Sequence, residues 1–541
     1  MINSRLICGV LIAMLPPWGM AQEHEHGTGE KLGAVHFSTS CNSGAQKEFN
    51  RAVALLHSFQ FSRAIEGFNA ALKSDESCGI AYWGIALSQW SNPFATGMKD
   101  NAQLQAGRRS AELGKVVGAK TERERAYIGA VSRLYSDFER TPQATRLTAY
   151  RDAMAEVAAR YAEDHEAQIF YALSIGASED PADKTYAGRI QAGNILEKLF
   201  AQEPDHPGLA HYIIHTYDVP VLAPRALSAA RRYSEIAPDA PHALHMPSHT
   251  FTRTGYWQDS INSNIAAAAA AKREGQTAEE LHSTDYEIYA YLQTGQDEAA
   301  TRLLACLPEL ASRFDPKVVI GGAGGPSVGY FALAAIPARY ALERRDWKQA
   351  AQLTLRETPF RYTDAMTLFA RGLGSARLQQ AQAARASAAA LRQIRKQLLK
   401  SGEKYWALQV EIQAIEVDAW AFLADGKKDE ALSQMRSAAD LEDGTEKSAV
   451  TPGPLTPARE LLGEMLLETN APAQALEQFK ASLQKEPGRF HALYGAAHAA
   501  SLTGDRDVSE RYFRELLKMC DQGDKQPRPE VLEARKVASR N

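Results

Sequence analysis

Apolar and polar residues rarely alternate along this chain, and alanine is abundant throughout. Alternation is typical of a half-buried β-strand, whereas alanine has the highest helix propensity of all residues. The pattern therefore predicts an all-α fold. With 541 residues the chain is too long for one core. It should contain either roughly three or four domains or one repeat array.

Some segments recur with a period of 34 residues, which favours the repeat array. The segment Pro204–Pro207 returns as Pro238–Pro241, and Phe479 returns as Phe513. These small, aromatic and proline positions resemble the tetratricopeptide repeat (TPR) family over most of residues 45–520. The resemblance implies a superhelix (an α-solenoid) of about ten to thirteen helical pairs, in which the first helix of each pair lines a concave groove.

The first 21 residues have the three parts of a signal peptide. Arg5 supplies the positive charge, Leu6–Leu15 the apolar run, and Gly19–Ala21 the small residues of a cleavage site. The run is too short to span a bilayer, and no later stretch approaches about 18 apolar residues. The sequence predicts a periplasmic or secreted protein whose mature chain has no transmembrane segment.

The start of the mature chain, at Val35–Cys41 and Arg51–Phe59, resembles large exported bacterial TPR proteins, a resemblance that implies no particular activity. After the signal peptide (1–21), the predicted organisation is an N-terminal segment (22–44), an N-terminal TPR array with a histidine-rich groove (45–320), a glycine-rich break (321–329), a C-terminal TPR array (330–523) and a mobile tail (524–541).

Three further features of the sequence predict a disulfide and argue against binding of nucleic acids and nucleotides. Cys41 and Cys78 are expected to form a disulfide in an oxidising compartment. The formal net charge is −4, without the basic excess of a nucleic-acid binder. The glycines of residues 320–326 follow neither a P-loop nor a dinucleotide-binding pattern, so we expect no nucleotide cofactor.

Histidines are concentrated in one region. Seven of the 14 lie between residues 206 and 282. His211 and His215 are spaced i, i+4, as are His245 and His249, so each pair occupies one face of a helix. The second pair follows the first after 34 residues, the repeat period. The two pairs are therefore expected at equivalent positions of adjacent repeats.

The following repeat can be aligned with the repeat of His245 and His249 by matching Gly295 with Gly255. This alignment matches His282, Asp285 and Tyr289 with His242, His245 and His249. The resulting ladder predicts the metal ligands His211, His215, His242, His245, His249, His282 and Asp285. The residues expected around them, as outer-shell or groove residues, are His206, Asp218, Arg253 and Tyr289.

Imidazoles from neighbouring helices, roughly 8–10 Å apart, can reach one ion. Neutral imidazoles suit copper or zinc, and an added carboxylate would also admit iron. Neither histidine pair has the glutamate of zinc metalloproteases after its first histidine, so that protease class is excluded.

Two other interpretations stay open. The groove can instead be a metal-free scaffold for an extended peptide or protein partner, as in many TPR proteins. A weaker alternative is an enzyme that uses paired histidines and Asp285 as general bases. The sequence does not decide whether the protein is catalytic.

Overall fold

The computed structural model describes residues 29–95, 97–180 and 182–539, which form α-helices, two 3-10 helices and no β-strand. The predicted signal peptide (1–21) lies outside the described residues, as do residues 22–28 of the N-terminal segment. The predicted all-α fold is confirmed.

The α-helices are α1 (Ser43–His57), α2 (Phe61–Ser74), α3 (Ile80–Trp90), α4 (Asn101–Val117), α5 (Glu122–Ser132), α6 (Gln143–Arg160), α7 (His165–Ala177), α8 (Ala187–Phe200), α9 (Pro207–Thr216), α10 (Leu227–Ile236), α11 (Pro241–His245), α12 (Pro247–Thr254), α13 (Trp257–Arg273), α14 (Thr277–Gln293), α15 (Asp297–Arg313), α16 (Pro326–Glu343), α17 (Trp347–Ala351), α18 (Arg361–Arg377), α19 (Ala381–Lys400), α20 (Lys404–Ala424), α21 (Lys428–Asp443), α22 (Ala458–Glu468), α23 (Pro472–Lys485), α24 (Phe490–Leu502), α25 (Arg506–Met519) and α26 (Pro529–Ala538). The 3-10 helices are Arg133–Tyr135 and Ala223–Ala226.

Consecutive helices pack against each other in pairs, from α1 with α2 to α24 with α25. Helices α11 and α12 together form one interrupted helix that packs on α13. The described residues therefore contain twelve pairs, and α26 follows the last. The predicted helical repeat is confirmed by this arrangement.

The small positions of the repeat allow helices to approach closely. A Cβ atom at Gly463 would lie 2.8 Å from the Phe479 ring, and one at Gly495 would lie 2.4 Å from it. Both distances are shorter than van der Waals contact, so any larger residue would push the helices apart. This packing explains why small and aromatic residues recur together.

The glycine-rich break differs from the prediction at its end. Helix α16 begins at Pro326, so only residues 321–325 are a loop. The backbone N–H of Ser62 donates to the Gly321 carbonyl at 3.1 Å, and Ala323 packs into the apolar core of residues 32–251. The loop therefore lies on the N-terminal helices.

The C-terminal segment also differs from the predicted mobile tail. Residues 529–538 form α26, and Val531 and Ala534 on it are buried. The Arg528 guanidinium bonds Asp297 Oδ2 at 2.9 Å. Two buried apolar side chains and one ion pair fix the helix, a combination that its charged sequence did not reveal. Residues 540 and 541 lie outside the described part.

A disulfide joins Cys41, just before α1, to Cys78, just before α3. It ties the N-terminal segment to the first helices. Within the described part of the chain, no helix has both the length and the apolar character to cross a bilayer.

Candidate metal centre

Three segments of the chain bring the predicted histidines together. Helix α9 carries His211 and His215, the interrupted helix α11–α12 carries the next three, and α14 carries His282. The interruption falls at Pro247, which has no N–H to continue the helical hydrogen bonds. The side chains of these six histidines are at most 6% exposed. They form two groups of three, in each of which the ligand atoms lie within 4.8 Å of one another.

The first group, here called triad A, consists of His245, His249 and His282. The Nε2 atoms of His245 and His249 are 3.1 Å apart. The ring centroids of His245 and His282 are 4.4 Å apart.

The hydrogen bonds of triad A fix where its protons lie. The Asn264 amide nitrogen donates to the Ser260 carbonyl at 2.7 Å, so its Oδ1 faces His245 Nδ1, at 2.7 Å. An amide oxygen can only accept a hydrogen bond, and therefore His245 carries its proton on Nδ1. His249 Nδ1 likewise lies 3.1 Å from the Asp218 carboxylate.

Both Nε2 atoms therefore present lone pairs to each other. Two lone pairs at 3.1 Å repel unless a cation lies between them. Two nitrogen ligands of a tetrahedral ion, each about 2.0–2.1 Å from it, lie roughly 3.3 Å apart. Asn264 and Asp218 hold the outer nitrogens as partners do around metal-bound histidines.

The second group, triad B, consists of His211, His215 and His242. His211 Nδ1 donates to the His57 carbonyl at 2.5 Å. His242 Nδ1 lies 3.4 Å from Glu279 Oε2. The Nε2 atoms of all three histidines are buried and have no hydrogen-bond partner.

His206 lies in a separate cluster rather than beside the triads. Glu166 bonds His57 Nε2 at 2.9 Å with one oxygen and His206 Nε2 at 3.1 Å with the other. The remaining nitrogens also have partners: His57 Nδ1 meets the Tyr212 hydroxyl, and His206 Nδ1 accepts from the Leu209 N–H. This cluster is a saturated hydrogen-bond network that supports His211 through the His57 carbonyl.

Asp285 does not face the histidines. Its Oδ1 accepts from Arg339 Nε at 3.1 Å, and both side chains are completely buried. The alignment of Gly295 with Gly255 counted residues along two continuous helices, but the earlier helix is interrupted at Pro247. His282 therefore joins His245, and Asp285 lies beyond them.

Tyr289 bonds residues other than the triad histidines. Its hydroxyl donates to Glu486 at 3.1 Å and accepts from Arg489 at 2.8 Å. The aromatic neighbour of triad A is Tyr286, whose ring centroid lies 4.8 Å from that of His245.

Asp218 and Arg253 lie beside triad A. A third residue, Lys447, which the sequence did not indicate, also bonds Asp218. Arg253 Nε donates to Asp218 Oδ1 at 2.9 Å, and Lys447 Nζ to Oδ2 at 2.7 Å. Burial by itself would raise the pKa of the Asp218 carboxyl, but Lys447 and Arg253 hold that pKa well below its usual range. The carboxyl is therefore ionised and accepts the His249 proton.

Burial keeps five of the ligand imidazoles neutral, those of His211, His215, His245, His249 and His282. It lowers the pKa of His211, His215 and His245 well below the ordinary range. The pKa of His249 falls to about 4 and that of His282 to about 3, again mainly through burial. Neutral imidazole is the form that binds metals.

The metal-free protein should lose stability as the solution is acidified below pH 6.5. The unfolded chain then takes up protons on histidines that stay neutral in the folded chain, so protonation favours unfolding. Each such histidine contributes about 1.4 kcal/mol per pH unit until the pH reaches its folded pKa. Urea denaturation with a chelator present, at pH 7.5 and 5.5, measures this loss. His282→Gln should reduce the pH dependence of the free energy of unfolding. A free energy of unfolding that does not change with pH in the unchanged protein would contradict the burial of neutral histidines.

A cavity of about 470 Å³ lies against the triads. Its lining includes His215 and His242 of triad B and His249 and His282 of triad A. Residues from the C-terminal half, among them Trp406, close the other side. The candidate centre therefore lies between the two predicted arrays and not in a groove of the N-terminal array alone.

The sequence did not indicate three residues of the site, Asn264, Glu279 and Lys447, or Glu166 of the separate cluster. Glu279 lies one turn before His282 on α14, a spacing that could have indicated it. No pattern marked Asn264 or Lys447. Asn264 reaches His245 from the second helix of the same pair, and Lys447 reaches Asp218 from a loop in the C-terminal half.

No family model matches the chain, and no curated protein sequence matches it either. Similar solved structures include the human IFIT1 dimer with m7Gppp-AAAA, at 10% identity and a TM-score of 0.37, covering 89% of this chain and 96% of that one. An IFIT1 monomeric mutant with Gppp-AAAA matches at 10% identity and a TM-score of 0.36, with the same coverage of both chains. Similarity this low carries no argument about family or ligand. The expected lack of nucleic-acid binding stays a prediction.

Proposed function

We propose that this chain is an exported TPR-type repeat protein that binds copper or zinc through triad A. The observation that carries the proposal is the 3.1 Å contact between the Nε2 atoms of His245 and His249, whose Nδ1 atoms are both held by oxygen acceptors. Bound metal would replace the repulsion between two lone pairs with two coordinate bonds.

The donor set favours copper or zinc over iron. Three neutral imidazoles suit copper and zinc, whereas iron sites commonly include a carboxylate. The carboxylate predicted for this role, Asp285, is occupied by Arg339. Asp218 approaches only the outer nitrogen of His249.

Three protein ligands would leave a position open towards the cavity. Catalytic zinc sites have this composition, whereas structural zinc sites are closed by four protein ligands. Metal handling and metal-dependent chemistry are both compatible with such a site, and His249 and His282 would present the ion to the cavity.

Two features support the proposed export to a periplasm or other oxidising compartment. The first 21 residues have the pattern of a signal peptide. The Cys41–Cys78 disulfide persists in an oxidising compartment and is rare in the cytosol.

Elemental analysis of the untagged mature protein, purified without chelator, tests the proposal. We expect at least one copper or zinc ion per chain. The variant His245→Ala/His249→Ala should lose the triad A ion and keep its helical circular dichroism. His498→Ala is the control, because His498 is partly exposed and its contacts among the described residues are with Glu533, at 3.5 Å, and with the Tyr494 ring.

An unchanged protein that is empty and takes up neither added copper nor zinc would contradict the proposal. The metal-free scaffold for a peptide or protein partner would then be the interpretation to pursue.

A further inference from the structure

Triad B has the features of a metal site in its own right. Its three Nε2 atoms are buried without a hydrogen-bond partner. A buried polar atom left without a partner costs about 1–3 kcal/mol. Three such atoms within one group are unusual, because native proteins pair nearly all buried polar groups.

Neighbouring groups contact the imidazoles of triad B. The His57 carbonyl binds His211 Nδ1, and Glu279 approaches His242 Nδ1. The Phe59 ring stacks on His215 and His242, with centroid distances of 5.7 and 5.5 Å. Oxygens thus lie beside the Nδ1 atoms of His211 and His242, while no hydrogen bond of the described residues reaches their Nε2 atoms.

The cluster of His57, His206 and Glu166 provides an internal comparison. Its ligand atoms are as close together as those of triad B. All four of its imidazole nitrogens nevertheless have hydrogen-bond partners. Proximity of histidines therefore does not by itself leave lone pairs free in this protein, and triad B differs in this respect.

The two triads adjoin each other. The ring centroids of His215 and His249 are 5.8 Å apart, and those of His242 and His245 are 5.9 Å apart. Each triad contributes two histidines to the lining of the same cavity. Ions bound to the two triads would thus face one shared space.

We infer that triad B binds a second copper or zinc ion, which makes the site a dinuclear centre with three imidazoles for each ion. The inference rests on the proposed function, because a dinuclear centre requires triad A to hold the first ion. Glu279, beside Nδ1 of His242, supplies negative charge near triad B. A dinuclear centre can hold one small substrate between two metals.

Metal stoichiometry of the full mature chain tests the inference. The metal-free protein is incubated with zinc sulfate, desalted in the presence of a weak chelator, and analysed for zinc. We expect two ions per chain in the unchanged protein and in His498→Ala, and one ion in either His242→Gln or His245→Gln. One ion in the unchanged protein, lost in His245→Gln and kept in His242→Gln, would overturn the dinuclear centre and leave the proposed function intact. One ion that His245→Gln retains, or no ion at all, would overturn both.

A second measurement does not depend on variants that fold. The unchanged protein loaded with two equivalents of copper sulfate should show an electron paramagnetic resonance spectrum broadened or weakened by interaction between adjacent Cu(II) ions. Two full, non-interacting signals would contradict a shared cavity.

Discussion

Replacing Arg339 by methionine is expected to lower the free energy of unfolding by about 3–5 kcal/mol. The change removes the only cation that bonds Asp285 among the contacts of the described residues, and leaves its carboxylate in a completely buried position. It also removes donors to the Pro454 and Gly453 carbonyls, at 3.2 and 3.4 Å. Urea denaturation at pH 7.5 measures the loss.

Arg344→Met, at the residue that follows the same helix, is the matched control. Its side chain is 36% exposed and lies 3.4 Å from Asp297, so its removal should cost less than about 1 kcal/mol. Equal effects of the two substitutions would contradict the buried role of Arg339. Folded Arg339→Met should keep its metal, because Asp285 is not a ligand.

Replacing Asn264 by alanine is expected to weaken metal binding by about 10–100-fold, the usual effect of losing a partner that orients a ligand histidine. The substitution removes the oxygen that fixes the His245 ring and keeps its proton on Nδ1. Without that acceptor, the proton can move to Nε2, the atom that faces His249. Competition with a chromophoric zinc chelator measures the change in affinity.

Asn262→Ala is the control for this experiment, because Asn262 is an exposed residue of the same helix that bonds only Gln258 among the contacts of the described residues. Its affinity for zinc should equal that of the unchanged protein. Unchanged affinity in Asn264→Ala would mean that His245 does not bind the ion through Nε2.

Much of the fold could be predicted because its pattern is local. Helix propensity and a 34-residue period depend on residues close together in sequence, and the twelve observed pairs fall within the predicted number. The proximity of His245 and His249 could also be predicted from the sequence, since four residues make about one helical turn. The spacing of 34 residues also indicated that His211 and His215 belong to an adjacent repeat.

The assignment of Asp285 as a ligand failed for a physical reason. A one-residue error in register rotates a helical side chain by about 100°, and the interruption at Pro247 disturbed the count. The predicted mobile tail failed similarly, because its few apolar residues gain stability only from the surface against which α26 packs.

The sequence by itself determined the all-α repeat and the six clustered histidines, since both follow from spacing along helices. Only the tertiary structure decided which histidines form each triad, which nitrogens carry protons, and that Arg339 rather than an ion neutralises Asp285. These features depend on contacts between side chains far apart in sequence, such as Lys447 with Asp218. The way the helices stack sets those contacts, and a linear pattern does not contain that information.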